Sequence, residues 1–358
     1  MTSTSKKEII EILSLRNKEQ IELHKKASLK RNEVIGNNIF FRGLIEASNI
    51  CKNDCFYCGI RQSNKNLMNY ELSENEILEI AETINELGFS SIVIQSGERQ
   101  NKEFTSYINN LIKKIKSSYP QMVITLSVGE QTEETYKEFY NSGAERYLLR
   151  IESSQKDLYE KIHPSDMSFD NRIKCLDSLK TIGFQVGTGV MIHLPEQGID
   201  NLANDILFLR GLDIDMCGMG PYIPHEDAPL IHQNYDKSKA INLSLNMISA
   251  LRLTMTDINI AATTALEALS PEGRKMGLNA GANIIMPQFS PEKTRVNYRL
   301  YDNKPIHTVD NKKLIEELKT LAESCKMNAA FNEPGNSLHF KKRGLPQSLK
   351  GTEKTLND

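Results

Sequence analysis

The sequence has no surplus of charge of either sign, no long apolar run and few cysteines, and each shortage removes a class of function. A net charge of −2 over 358 residues gives no reason to expect nucleic acid as a partner, since nucleic-acid binders usually carry a basic surplus or stripe. Short basic runs such as Lys113–Lys114 and Lys341–Lys342–Arg343 read as solvated surface. No apolar stretch approaches the roughly 20 residues that span a bilayer, so no membrane association is expected. No secretory signal opens the chain, and six cysteines without one point to a reducing, cytoplasmic setting. The apolar share of 39% and charged share of 25% are ordinary for a soluble globular protein. Length alone leaves one large barrel or two domains open.

Half of the cysteines stand in one short run, Cys51-Lys52-Asn53-Asp54-Cys55-Phe56-Tyr57-Cys58. A structural zinc scaffold wants four ligands, commonly two CxxC pairs, and here the next cysteine is Cys175. Spacings of four and three would also fall on one helix face, but Asn49, Asn53, Asp54 and Gly59 are turn and cap residues, so the run reads as a loop. Clusters that only carry electrons usually have every iron capped by protein. Three thiolates leave one iron of a 4Fe–4S cluster open to a small molecule.

Around this loop the chain settles into a βα rhythm. A capping signature, Ser5 with Glu8, opens a first helix, and a polar second helix is expected over about Lys18–Val34. Eight strands are expected near Phe40–Glu46, Ser91–Gln95, Val123–Ser127, Tyr147–Ile151, Phe184–Met191, Met216–Met219, Asn259–Ala262 and Asn283–Met286. Amphipathic helices lie between them; the clearest has a Ser73/Glu76 capping box, a stripe through Ile77, Ile80, Ala81, Ile84 and Leu87, and Gly88 as its stop. Eight βα units predict an α/β fold, a closed (β/α)8 TIM barrel over 38–301. N-terminal helices over 1–37 and a C-terminal helix and tail over 302–358 would pack on it, the tail beyond Lys342 being polar. A six-strand open barrel is the alternative, because the last two strands are the weakest. In such barrels the chemistry sits on the loops after the strands. There the sequence places the cysteines, Gln95-Ser96-Gly97-Glu98, Ser127-Val128-Gly129-Glu130, Arg150-Ile151-Glu152, His225, Thr263-Thr264 and Met286.

The cysteine motif resembles that of the radical S-adenosylmethionine (SAM) enzymes, whose open iron chelates the amino and carboxylate groups of SAM. That ligand makes separate demands. Its ammonium wants a carboxylate or carbonyls, which Ser96-Gly97-Glu98 can supply from a tight turn. Its carboxylate wants a guanidinium, best offered by Arg172. Glu152 can accept from the ribose diol or the ammonium, and Tyr57 with nearby methionines can meet the adenine. Surface ion pairs worth roughly 0–1 kcal/mol are the plain alternative for these charges. Arg150 and Glu152 alternate along an apolar strand and so share a face, which would be the lumen.

Several further strings extend the resemblance: Val93-Ile94-Gln95-Ser96-Gly97-Glu98, Arg146 to Glu152, Ser168 to Arg172, Gly218 to His225, and Ala261-Ala262-Thr263-Thr264-Ala265. Together they are similar to the HydE-type maturases of the FeFe-hydrogenase H-cluster, within the biotin synthase-like radical SAM branch. That resemblance implies SAM contacts from Glu152 and Arg172, with Gln95, Ser96 and Ser127 nearby. It implies a substrate cavity lined by Arg150, Thr263, Thr264, Met286, Tyr298 and Tyr301, and a cysteine-bound iron carbonyl cyanide complex attacked at sulfur by the 5′-deoxyadenosyl radical. Expected partners are an electron donor such as ferredoxin or flavodoxin, the companion tyrosine-cleaving maturase and a scaffold GTPase. Some members carry a second cysteine group, but Asp302 to Asn311 has none and Cys325 stands alone, so one cluster is expected. This also weighs against biotin synthase, which needs a second, sacrificial cluster. Cys175 and Cys217 are expected in the core, and His193 is expected to be structural. His225 either serves the site or caps backbone. A mutase of the methylornithine synthase type is the alternative enzyme; a non-enzymatic iron–sulfur or zinc scaffold is the alternative of another class.

Overall fold

In the computed structural model, which describes residues 4–306 and 310–344, eight parallel strands close into a barrel. They are β1 (Asn38–Phe41, resumed after Arg42 as Gly43–Ser48), β2 (Ser91–Ser96), β3 (Val123–Ser127), β4 (Ala144–Leu148), β5 (Gln185–Thr188), β6 (Met216–Cys217), β7 (Asn259–Ile260) and β8 (Ile284–Ile285). A continuous parallel ladder joins β1 through β7 in chain order. β8 closes the ring. Asn283 donates to the Ile260 carbonyl at 2.9 Å, and Phe40, Arg42 and Leu44 donate to the carbonyls of Asn283, Ile285 and Pro287 at 3.0, 3.0 and 2.7 Å. These bonds exclude the open six-strand alternative. The last three strands are only two residues long, which is why their sequence signal is faint. The polar tail expected after Lys342 lies, from residue 345 on, outside the described residues.

The strands are apolar on both faces because each is covered twice, by side chains in the lumen and by helices outside; in β2, Ile92, Val93 and Ile94 are all essentially inaccessible. The helix Glu74–Glu86 shows how the sequence builds the outer layer. Ser73 Oγ accepts from Glu76 N at 3.3 Å while Ser73 N donates to Glu76 Oε2 at 2.9 Å, so two otherwise unpaired N–H groups are satisfied. Ile77, Ala81 and Ile84 are fully buried, each large side chain stabilising by about 1.5–3 kcal/mol. Gly43 allows the close approach: a Cβ there would lie 2.6 Å from Ile84 Cδ1. The helix ends at Gly88, which adopts φ +80°.

Two N-terminal helices, Lys6–Ser14 and Asn17–Ile35, pack on the outer helices Ile199–Gly211 and Lys237–Thr254. Ile9 and Leu13 are fully buried there, and Asn246 Nδ2 caps the first helix by donating to the Leu13 and Leu15 carbonyls at 3.2 and 3.1 Å. At the N-terminal ends of the strands, a parallel strand Asn328–Ala330 is added beside β1. The segment after it covers the lower mouth: Arg146 donates to the Pro334 carbonyl at 2.6 Å, Asn259 to that of Gly335 at 2.9 Å, and Ser337 N to Gln185 Oε1 at 3.0 Å. A short helix, Leu338–Arg343, follows. Among the described residues no helix is long and apolar enough to cross a membrane.

Candidate active site at the upper mouth of the barrel

The loop after β1 carries the three cysteines and is held from several sides. Asp54 is its inner brace. It accepts from Arg61 Nε and Nη2 at 2.8 and 2.6 Å and from Ser63 N and Oγ at 3.1 and 2.8 Å, and these donors hold its carboxyl down at about 2. Outside contacts come from Phe56 N to the Ile162 carbonyl at 3.0 Å, Gly59 N to that of Leu300 at 3.0 Å, and Leu230 N to that of Phe56 at 2.8 Å. Cys51 Sγ accepts from Asn53 N and Glu98 N at 3.4 and 3.3 Å. Gly97 is required by proximity: a Cβ would stand 2.3 Å from the Ile50 carbonyl oxygen and 2.8 Å from Cys51 Cβ.

All three thiols are free and line one cavity of about 240 Å³. Burial pushes all three thiols up, Cys55 to about 12. A metal cluster binding there must therefore displace protons. Among the described residues no three His, Cys, Asp or Glu side chains converge tightly enough to hold a single metal ion. Three thiols on one cavity are the donor set of a 4Fe–4S cluster with one open iron, whereas a closed zinc site takes four ligands.

Polar side chains share the cavity with the cysteines. Tyr57, Gln95, Ser96, Glu98, Ser127, Glu152 and Arg172 all line it. Glu98 is buried, with Oε2 accepting from Glu130 N at 2.8 Å and Oε1 3.4 Å from Lys52 Nζ; Gly129, at φ +78°, leaves room for it. Ser96 Oγ donates to the Gly97 carbonyl at 2.8 Å. Arg172 is buried on the helix Phe169–Ile182, with Nε donating to Glu130 Oε1 at 2.5 Å and Nη1 to the Arg150 carbonyl. Burial opposes its charge, but Tyr159, Glu130 and Glu98 hold the guanidinium above its usual range. Tyr57 OH lies 3.2 Å from His163 Nε2, and His163 Nδ1 lies 2.8 Å from the Tyr159 carbonyl. Burial and Arg172 depress His163 to about 3, so its ring is neutral. Nδ1–H donates to the carbonyl, and Tyr57 donates to Nε2.

Arg150 and Glu152 reach the same cavity by a different geometry from the strand alternation expected. β4 ends at Leu148, and Glu152 adopts φ +64°, a left-handed conformation disfavoured for a non-glycine residue. Asp205 holds the turn that follows, accepting from Ser154 N and Oγ at 2.9 and 2.6 Å. Arg150 Nη2 stands 2.8 Å from Glu152 Oε2, so the two charges are paired with each other within the cavity. Arg150 Nε and Thr263 Oγ1 are buried without a hydrogen-bond partner, and Glu152 Oε2 has only its ion pair with Arg150. Buried orphan groups of this kind, gathered on one cavity, mark where a polar ligand belongs.

Tyr298 and Tyr301 line the cavity beside Thr263. Tyr298 is held by Lys304, whose Nζ donates to its carbonyl at 2.8 Å and stands 4.8 Å over its ring while also pairing with buried Glu46. Two of the expected residues lie elsewhere. Thr264 begins the helix Thr264–Leu269 and does not line the cavity. Met286 faces a separate void of about 10 Å³ deeper in the lumen, with Arg42, Thr125 and Met216; Leu148 stands between the two spaces. Cys175 and Cys217 are in the core. His225 caps backbone, its Nδ1 accepting from Asp227 N at 3.0 Å, with its ring against Gly59; His193 is buried. The sequence marks Glu130 only as the end of the run Ser127-Val128-Gly129-Glu130 after β3, with no role of its own, and gives no signal for His163 or Asp205.

Residues 45–209 match the family model of the radical SAM superfamily, the class of barrel enzyme that this fold and cysteine loop define. The chain is 42% identical over 282 residues, 79% of each protein, to the "[FeFe] hydrogenase maturase subunit HydE" of Thermotoga maritima. It is 31% identical over 298 residues, 81% of each, to the 3-methylornithine synthase of Methanosarcina barkeri. Among solved structures, methylornithine synthase (PylB) superposes with a TM-score of 0.77 at 24% identity, covering 92% of this chain and 94% of that one. The HydG maturase from Carboxydothermus hydrogenoformans gives 0.75 at 20%, covering 91% and 76%; both likenesses speak to the fold. The chain belongs to the HydE family of radical SAM enzymes, which use a 4Fe–4S cluster and SAM.

Proposed function

We propose that this enzyme cleaves SAM reductively at a cluster held by Cys51, Cys55 and Cys58 and serves assembly of the FeFe-hydrogenase H-cluster. The observation that carries the reading is the meeting, in one cavity, of three free thiols with the Arg150–Glu152 ion pair and the buried, unpartnered Arg150 Nε and Thr263 Oγ1. When bound, the cluster supplies the electron that releases a 5′-deoxyadenosyl radical from SAM. The chain's own residues hold and orient the ligand. Glu98 and the Ser96–Gly97 turn take its ammonium, Arg172 its carboxylate, Glu152 its ribose, and Tyr57 its adenine, with Gln95 and Ser127 beside them. Arg150, Thr263, Tyr298 and Tyr301 hold the substrate, a cysteine-bound iron carbonyl cyanide complex whose anionic ligands suit an arginine and a hydroxyl in a desolvated site. Ferredoxin or flavodoxin would supply electrons in the cytoplasm, and the tyrosine-cleaving maturase and scaffold GTPase would stand before and after this step.

The similarity to 3-methylornithine synthase supports a second reading, a mutase acting on an amino acid. A complementation assay separates them. In an anaerobic host lacking its own HydE-type maturase, this chain should restore hydrogenase activity, Cys55→Ala should not, and Cys325→Ala should act as wild type. Failure to restore hydrogenase by a protein that still cleaves SAM would favour the mutase. Loss of activity in Cys325→Ala would contradict the single cluster.

A further inference from the structure

We infer that Glu130 is a positioning residue: it fixes the Arg172 guanidinium so that one edge is presented to a ligand carboxylate, and it thereby sets the preference for a ligand bearing that group. This rests on the reading that Arg172 receives the carboxylate of SAM. Arg172 has three nitrogens to place. Glu130 Oε1 takes Nε at 2.5 Å, the Arg150 carbonyl takes Nη1, and among the described residues Nη2 makes no hydrogen bond. Glu130 is itself fixed on every side: Oε2 accepts from Asn171 Nδ2 at 2.5 Å, its N–H donates to Glu98 Oε2 at 2.8 Å, and its carbonyl accepts from Gln100 Nε2 at 2.9 Å. Both residues are buried. Glu130 does not line the main cavity; it lines a smaller hollow outside it, so it acts through Arg172 and not on the ligand. With Nε released, one carbonyl would be left to hold a long, flexible side chain, and the fork that makes arginine selective for carboxylates would lose its orientation.

Charge and position make opposite demands, which renders the role testable. If Glu130 acted only as a negative neighbour, removing it would strengthen carboxylate binding. If it positions Arg172, removing it weakens that binding. The test is equilibrium dialysis of SAM and of decarboxylated SAM against reconstituted, unreduced protein, in which no cleavage occurs. Glu130→Ala should weaken SAM about tenfold, within the range seen when outer partners of a binding group are removed, and leave the decarboxylated analogue unchanged. Glu130→Gln, which keeps the acceptor, should stay within about threefold of wild type, whereas Glu130→Asp, which falls short of Nε, should resemble Ala and serves if Ala does not fold. In an Arg172→Ala background, Glu130→Ala should add nothing. Equal losses for both ligands, tighter SAM binding, or additive losses in the double variant would overturn the positioning role. Unchanged SAM binding in Arg172→Ala alone would instead overturn the assignment of Arg172 on which it rests.

Discussion

Gly97 shows how little room a single side chain has at this site. Its missing Cβ is what lets the β2 turn pass beneath Cys51 and the Ile50 carbonyl. Gly97→Ala should therefore displace the first cysteine and leave a folded protein that loses most of its iron on reconstitution, measured as iron per chain; full iron content would show that the loop yields. The same scale separates what could be read from the sequence and what could not. That the cysteines and Glu152 would line the cavity was legible from their place after strand ends, whereas Arg172, on the helix Phe169–Ile182, was singled out by its residue type. Glu130 was legible only as a strand-end residue because its partner lies 42 residues away, and the depth of Met286 was not legible, since a strand-end position does not say how far down the lumen a side chain points.

Elements with their own local signals were legible almost to the residue. The helices Phe169–Ile182 and Asn311–Ser324 carry apolar stripes and N-cap residues that declare their ends, and truncating a stripe residue such as Ile84→Ala should cost about 2–5 kcal/mol in a denaturation curve. The segment under the barrel has an N-cap, Ser337, which accepts from Phe340 N at 3.4 Å, but no apolar stripe. Leu338–Arg343 is short and basic, and it is a helix because tertiary partners fix it: His339 Nδ1 and Nε2 lie 3.0 and 2.8 Å from Asp257 and Asp213, Lys342 reaches Asp257, Lys180 reaches Asp213, and Arg343 pairs with Asp215. Hydrogen bonding to Asp257, against burial and with Asp213 assisting, raises the His339 pKa, while its partners hold Asp257 down. The contribution of protonated His339 is thus complete below its ordinary value of about 6.5 and is lost as pH rises through the raised one. His339→Ala should lower stability by on the order of 1 kcal/mol near pH 6, with the gap to wild type closing towards pH 9; a gap independent of pH in that range would show that the ion pairs do not hold the segment.

At the scale of the whole molecule, the count of βα units gave the barrel, but its closure could not be seen beforehand. Two-residue strands leave no periodicity to detect, and β8 is held through backbone bonds from Phe40, Arg42 and Leu44, partners some 240 residues earlier. Closure matters to function because it turns eight loose strand ends into one ring, with the thiols and the polar groups of Arg150, Glu152 and Thr263 lining one cavity. The account stands on that cavity holding SAM against a cluster at Cys51, Cys55 and Cys58. Its most direct test is to reconstitute the protein anaerobically, add SAM and a strong reductant, and quantify 5′-deoxyadenosine. Wild type should release the nucleoside and Cys55→Ala should release none; a wild-type protein with its cluster intact that leaves SAM uncleaved would contradict the account.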